Sequence, residues 1–318
     1  MAPPIKEILR IIVENVIRVG MPIPVSRRVV FKWAEGLGLQ KNSETILFTG
    51  TLYQLVPYIT SIVGRLESIE KSKLSSLLMS FGAKLSGIAD RLLVRTPRGE
   101  IERQYEVLRR IVALLKKTDT RFGYLYEDDM YSGALLYDMG LDNYFREHAE
   151  KVYDRLKDLG VETLITVDPH TTYIMKEVYR EVLPRYSLKV KNYLEVLSSS
   201  DLTPYRIIRK DVTIHDPCYY ARYLKIVEEP RKLLRSGGIN IIEANRVREL
   251  TFCCGGPIES ISPTLSRSVA LMRMDELSTS CKNIVVMCPI CYANLSRVKA
   301  VDTNVDDISN YLYSIYCE

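Results

Sequence analysis

Residues 284–291 read Ile284-Val285-Val286-Met287-Cys288-Pro289-Ile290-Cys291. The stretch 120 positions earlier reads Leu164-Ile165-Thr166-Val167-Asp168-Pro169-His170-Thr171. Each is a short, mostly apolar run, then a four-residue turn with Pro second, then a helical pattern. A run of that length suits a strand buried on both faces, and Pro is favoured in the first turn of a helix. The two stretches therefore read as one strand–turn–helix unit used twice.

The repeat extends outward. Ile46-Leu-Phe-Thr-Gly-Thr51 occupies the place of Thr213-Ile-His-Asp-Pro-Cys218, and Tyr126-Glu127-Asp128-Asp129 that of Phe252-Cys253-Cys254-Gly255. Strand patterns fall at Thr45-to-Thr49, Phe122-to-Tyr126, Thr163-to-Val167, Asp211-to-Ile214, Asn240-to-Glu243, Leu250-to-Phe252 and Asn283-to-Met287. Helical patterns alternate with them, including most of residues 52–118, Asn143-to-Leu159, Glu228-to-Arg235 and Leu265-to-Leu277. Leu188-to-Leu197 fits either a strand or a helix. Alternation of this kind indicates parallel βαβ units. The expected class is α/β, with two pseudo-equivalent Rossmann-like lobes built on short parallel sheets. A helical stripe at Ile5-to-Val19 precedes them, suited to packing on this chain or on a partner. The Ser cluster closed by Pro204 marks a boundary. The expected layout is an N-terminal helical extension over 1–40, a first lobe over 41–204 and a second lobe over 205–318.

Composition excludes several classes. The chain has 318 residues, 47% hydrophobic and 26% charged, which is ordinary globular composition. Net charge is +5, with 44 basic against 39 acidic residues and no long basic cluster, so nucleic acid is not an expected partner. No apolar run approaches the ~18–20 residues of a membrane span. The first residues lack the basic-then-apolar layout of a signal peptide. The expectation is a cytoplasmic protein, with membrane association only through a partner.

The cysteines are unevenly placed. All seven lie at or after residue 218: Cys218, Cys253, Cys254, Cys281, Cys288, Cys291 and Cys317. An odd number with no secretory signal argues against a disulfide framework and for metal or redox chemistry. Five follow the pattern C–x34–CCG–x32–CxxC, and each group comes after an expected strand. They should therefore gather at the carboxyl edge of one parallel sheet, the usual binding edge of open α/β folds. Soft thiolates select zinc, Cu(I) or iron–sulfur clusters. Structural zinc takes four ligands, so a fifth thiolate favours a cluster of several metals over zinc, with a metal-free dithiol as the remaining reading. The Gly after the paired cysteines would let the backbone turn tightly.

These residues and their surroundings resemble the cysteine-rich CCG domain found in the B-type and D-type components of heterodisulfide reductase and in related iron–sulfur oxidoreductases. The surroundings are His215-Asp-Pro-Cys218, Glu229-Pro-Arg231, Phe252-Cys-Cys-Gly-Gly256 and Cys288-Pro-Ile-Cys291-Tyr292. The likeness continues through Gly20-to-Leu39, Ser132-Gly133 to Gly140, and Val161-to-Pro169. It implies that Cys218, Cys253, Cys254, Cys288 and Cys291 hold one [4Fe–4S]-type cluster, which in some members is a noncubane pair of fused units. It implies an oxidoreductase subunit that exchanges electrons with a separate ferredoxin-like iron–sulfur or flavin subunit. Its other partner would be a small thiol/disulfide or related acceptor. The sequence departs from the two-cluster pattern because its first repeat is a degenerate, cysteine-free one and no ferredoxin-like segment is present. A structural zinc module or a scaffold subunit is the alternative.

Other candidates are weaker. His215 could donate a proton or a hydrogen bond to a ligand sulfur or to substrate. Glu127, Asp128, Asp129, Asp168 and His170 could converge at the equivalent edge of the first lobe. There they would form a harder metal site, a substrate mouth or a solvated vestige. Cys281 reads as a buried small residue and Cys317 as an exposed one. Lys71, Lys73, Lys84 and Arg91 read as a solvated helix face.

Overall fold

Among the described residues, eight strands form two separate four-stranded parallel sheets with identical order. The computed structural model describes residues 5–70 and 96–318, and Lys71, Lys73, Lys84 and Arg91 lie outside them. In the first lobe β1 (Thr45–Phe48), β2 (Gly123–Tyr124), β3 (Thr163–Thr166) and β4 (Lys189–Asn192) lie in the order β2-β1-β3-β4. In the second, β5 (Asp211–Ile214), β6 (Asn240–Ile241), β7 (Asn283–Val286) and β8 (Asn304–Asp307) lie in the order β6-β5-β7-β8. Ile46 pairs with Leu164 as Thr213 pairs with Ile284, which keeps the repeated units in register. Helices cover both faces, so the central strands are apolar in consecutive positions rather than alternately. Ile46, Leu47 and Phe48 are fully buried, and so are Ile284, Val285 and Val286.

The lobes share one core. A single apolar cluster joins Leu47 and Ile165 under the first sheet to Val212 and Val285 under the second, with Leu312 and Ile315 of the helix Ile308–Tyr316 between. A reciprocal pair of bonds fastens them. Tyr53, two residues past the β1 corner, donates to Asp307 at the end of β8 (2.9 Å). Tyr220, two residues past the β5 corner, accepts from Asn192 at the end of β4 (2.6 Å). Asp307 and Asn192 also cap the helices that follow them. Each lobe thus reaches into the strand-end cap of the other.

The N-terminal segment packs on the first lobe. Helix Ile5–Val19 buries Ile12, Val13 and Val16 and contacts helix Asp142–Asp158, while Ile5, Ile11 and Ile17 stay exposed. Trp33 is fully buried and donates to the Tyr124 hydroxyl (3.2 Å).

Two local expectations are corrected and one open reading is resolved. Leu250-to-Phe252 is no strand: a 3-10 turn spans Arg248–Leu250, and Leu250 is 76% exposed. The segment is held by hydrogen bonds to the β5 corner, as described below, and not by a ladder. Leu188-to-Leu197 is both a strand and a helix, because a capping box of Asn192 and Glu195 switches β4 into helix Tyr193–Ser199. Cys281 and Cys317 are both half-buried, Cys281 at the mouth of β7 and Cys317 against the shared core.

Candidate metal centre

The cysteines come from three corners of the second lobe. Cys218 follows β5 and opens a π-helical turn, Tyr219–Leu224. Cys288 caps helix Pro289–Ser296, and Cys291 lies in its first turn. Cys253 and Cys254 sit on the loop after the Arg248–Leu250 turn. Burial rises inward: Cys218 and Cys253 are half-buried, while Cys254, Cys288 and Cys291 are buried.

An ion triad holds the loop in place. Arg231 is fully buried and forks onto Asp216, two bonds of 2.8 Å, and onto Glu243 at 2.8 and 3.0 Å. Its remaining proton goes to the Val227 carbonyl (2.7 Å), so all five guanidinium donors are used. Asp216 also accepts from the Arg248 amide (2.8 Å), and its carbonyl accepts from the Thr251 hydroxyl (2.8 Å). The turn holding Cys218 is thereby tied to the chain entering Cys253-Cys254. Gly255 follows at φ +91°, where a side chain would be strained. A Cβ there would lie 2.5 Å from the Ser266 carbonyl, so the glycine lets the loop approach helix Pro263–Ser280.

The five thiols form a connected series. Cys218 interacts with Cys253, Cys253 with Cys254, Cys254 with Cys291, and Cys291 with Cys288. Hydrogen bonds from Cys218 and Cys254 lower the pKa of Cys253, aided by the Gly255 amide (3.3 Å). Burial resists ionisation of Cys288, but bonds from Cys291 and His170 outweigh it and its thiol is lowered. The other three thiols are raised, chiefly by these neighbours. Among the described residues, the one set of three or more potential ligands whose donor atoms all lie within 4.8 Å is His215, Cys254 and Cys291. No four of the sulfurs meet that limit, whereas a single tetrahedral zinc with ~2.3 Å bonds needs its four sulfurs closer than that. Five soft donors spread over a wider shell suit a group of several metal atoms.

His215 is itself a member of this set. Its Nε2 is 3.3 Å from Cys291 Sγ, and its Nδ1 accepts from Arg273 Nε (3.1 Å). Arg273 always donates, so the ring proton sits on Nε2 and points at the sulfur. Burial first, then the Arg273 charge, lowers the His215 pKa to about 3, so the ring is neutral.

The first-lobe residues do not converge. Glu127 and Asp128 turn outward and pair with Lys41 (2.5 and 2.8 Å), and Asp128 also pairs with Arg155 (2.9 Å). Asp129 is buried, taking bonds from Thr49 (2.5 Å) and Tyr124 (3.0 Å); burial raises its pKa to about 6. Asp168 is fully buried and caps helix Pro169–Tyr173 through the Thr171 amide (2.9 Å); burial raises it to about 7. His170 points across the lobe boundary. Its Nδ1 faces Asp138 (3.2 Å) and its edge meets the Tyr219 ring (4.6 Å). The acidic turn is therefore a surface ion-pair cluster, whereas His170 turns toward Tyr219, the neighbour of Cys218.

Sequence reasoning missed Arg231, Arg273, Asp138 and Tyr173, which stacks on Tyr219 (4.8 Å). Arg231 had one signal, the Glu229-Pro-Arg231 stretch; the others had none.

Residues 212–296 match the family model of the CCG cysteine-rich domain. The chain is 30% identical over 210 residues to a "Probable membrane-anchored ferredoxin" of Chromohalobacter salexigens, covering 62% of this chain and 31% of that protein. It is 26% identical over 223 residues to an "EtfAB:quinone oxidoreductase" of Syntrophomonas wolfei, covering 64% and 31%. It is 29% identical over 210 residues to the D-type component of the dihydromethanophenazine:CoB–CoM heterodisulfide reductase of Methanosarcina mazei, covering 61% and 51%. The chain thus spans about a third to a half of these proteins' length. Among the described residues, no helix is long and apolar enough to cross a membrane.

Proposed function

We propose that this chain, a CCG-domain iron–sulfur protein resembling the B-type and D-type components of heterodisulfide reductase, is a one-cluster redox subunit. Cys218, Cys253, Cys254, Cys288 and Cys291 would hold one [4Fe–4S]-type cluster, cubane or noncubane. When bound, that group accepts and releases single electrons at a potential tuned by burial and by hydrogen bonds to sulfur. The observation that carries the reading is the series of five interacting thiols drawn from three corners of one sheet.

The chain's own residues prepare the site. Arg273 holds His215 so that Nε2 donates to Cys291 Sγ, which stabilises negative charge on that sulfur. Buried Cys254, Cys288 and Cys291 exclude water from the inner side. Half-buried Cys218 and Cys253 mark the open side, where a small thiol/disulfide would approach. Reducing a disulfide takes two electrons and two protons and yields two thiols. The electrons come from a reduced iron–sulfur or flavin partner, delivered one at a time, and the protons from solvent. The printed name of the relative that is a component of a heterodisulfide reductase supports such a partner.

Protein purified without oxygen should be brown, with several irons and acid-labile sulfides per chain. Colourless protein with one zinc per chain would overturn the reading in favour of a structural zinc module. Iron-loaded protein that neither reduces nor oxidises with any low-molecular-weight dye would favour a scaffold.

A further inference from the structure

The N-terminal helix and the first lobe leave a cavity of about 310 Å³ between them. Val13, Val16 and Val19 of helix Ile5–Val19 line it on the helix side, and Met130 and Val152 come from the first lobe. Ile17 and Tyr144 also line it and are 61% and 44% exposed, so they mark its mouth. An apolar cavity of about 150 Å³ already accepts a benzene ring. None of the residues lining this one belongs to the metal centre.

One buried polar side chain meets this space. His148 of helix Asp142–Asp158 is 8% exposed and lines the cavity. Its Nε2 lies 2.8 Å from the Tyr131 carbonyl, which only accepts, so Nε2 carries the ring proton and donates. Burial lowers the His148 pKa, so the ring is neutral near pH 7 and Nδ1 is an acceptor. Among the described residues, no donor is hydrogen-bonded to Nδ1. The ring's opposite edge is taken, because a Cβ on Gly133 would lie 3.1 Å from His148 Cδ2. With Cδ2 and Nε2 on that side, the edge bearing Nδ1 is the one that faces the cavity. Three charged residues complete the lining. Arg27 is held by the Glu127 and Asp129 carbonyls (2.9 and 2.7 Å), while Glu147 and Lys151 are exposed.

We propose that this cavity is a binding site for a small phenol-like molecule, its ring against Val13, Val16 and Val152 and its hydroxyl donating to His148 Nδ1. Ligand sites of this kind pair an apolar lining with a few placed polar groups. The fixed tautomer sets the polarity of the match: Nδ1 accepts, so the ligand must donate. A water on Nδ1 would satisfy the acceptor but leave the apolar walls wet, whereas a ligand hydroxyl makes the same bond while its ring covers them. The site is independent of the cluster reading.

The test titrates the full chain, labelled for NMR at valine methyls and histidine nitrogens, with p-cresol and with 4-methylanisole, which keeps the ring but cannot donate. p-Cresol should shift the methyl signals of Val13, Val16 and Val152 with a Kd of about 1 mM or tighter. It should also move the His148 Nδ1 signal toward the protonated range, and 4-methylanisole should not. In His148→Phe, which keeps a ring and removes the acceptor, the preference for p-cresol over 4-methylanisole should fall by about twofold to tenfold, the scale of one hydrogen bond. Val16→Phe fills the cavity and should abolish binding of both probes. Valine methyls that p-cresol leaves unshifted, or unchanged binding in Val16→Phe, would overturn the site. An unmoved Nδ1 signal in wild type, or an unchanged preference in His148→Phe, would overturn the assignment of the hydroxyl to His148. If His148→Phe does not fold, the wild-type Nδ1 signal decides alone: movement with p-cresol supports the bond, and none overturns it.

Discussion

The two lobes have the same sheet order, the same strand register and exchanged tyrosine anchors, yet their corners differ in chemistry. Asp168 and Cys288 sit on nearly the same backbone, φ −138° and −146°, so a carboxylate and a thiol occupy one geometry. Thr51 and Cys218 do not: Thr51 is left-handed at φ +59°, where Cys218 is helical at φ −57°. A β-branched residue at positive φ is strained. The first lobe has therefore kept the packing that makes the repeat and let the first corner depart from the geometry that presents a sulfur. The lesson is that core burial preserves the architecture independently of the few side chains that decide what the edge binds.

The lobes also brace their corners differently, and the sharpest way to break the comparison is through the second lobe's triad. Arg231→Met leaves Asp216 and Glu243 without their shared partner. Stranding a buried charge costs about 3–5 kcal/mol. Urea unfolding of the iron-loaded protein should report that loss, and iron content should fall with it because Asp216 positions the Cys253-Cys254 loop. Wild-type iron with a large stability loss would uncouple the triad from the site.

The first lobe's brace is Asp129, whose pH dependence should run the other way from an ordinary ion-paired carboxylate. An unfolded Asp ionises near ~3.9, while folded Asp129 holds its proton to about 6. As pH rises from about 4, the unfolded chain releases this proton first. Stability from this residue is complete below the lower value, declines between the two and is flat above the higher. The loss is at most about 3 kcal/mol. Unfolding free energy of wild type minus Asp129→Asn, measured across pH 4 to 7.5, should show that decline; a flat difference would remove Asp129 from the account.

The exchanged tyrosines sharpen the symmetry on a smaller scale. Tyr53→Phe removes a bond to a buried carboxylate and should cost about 2 kcal/mol; Tyr220→Phe removes one to an amide and should cost about 1 kcal/mol. Equal losses in chemical unfolding would mean that Asp307 is neutral in the folded protein.

Much of this symmetry is readable from the sequence. The apolar runs Leu164-to-Val167 and Ile284-to-Met287 are long enough and buried enough to show as strands, and the cysteine spacing points to one edge. β8 reads Asn304-Val-Asp-Asp307, and its polar surface hides a strand that only pairing with β7 stabilises. Leu250-to-Phe252 fails for the opposite reason: its residues favour strands, but Asp216 holds the neighbouring backbone in a turn. At the site, His215 is readable because it lies three residues before Cys218 in the same turn. His170 is readable only as a candidate, since its contact with Tyr219 crosses between lobes and its partner Asp138 carries no motif.

The acidic turn gives the mildest test, and it bears on whether the first lobe's edge keeps any function of its own. Glu127 occupies the place of Cys253 in the repeat, but its side chain is 57% exposed and paired with Lys41. An exposed pair of this kind contributes about 0–1 kcal/mol and is screened by salt. Glu127→Gln should therefore change unfolding free energy by under about 0.5 kcal/mol, with the difference vanishing at high salt, and leave iron content and potential as in wild type. If Glu127→Gln moved the potential measurably, the first lobe would act on the centre through its overall charge.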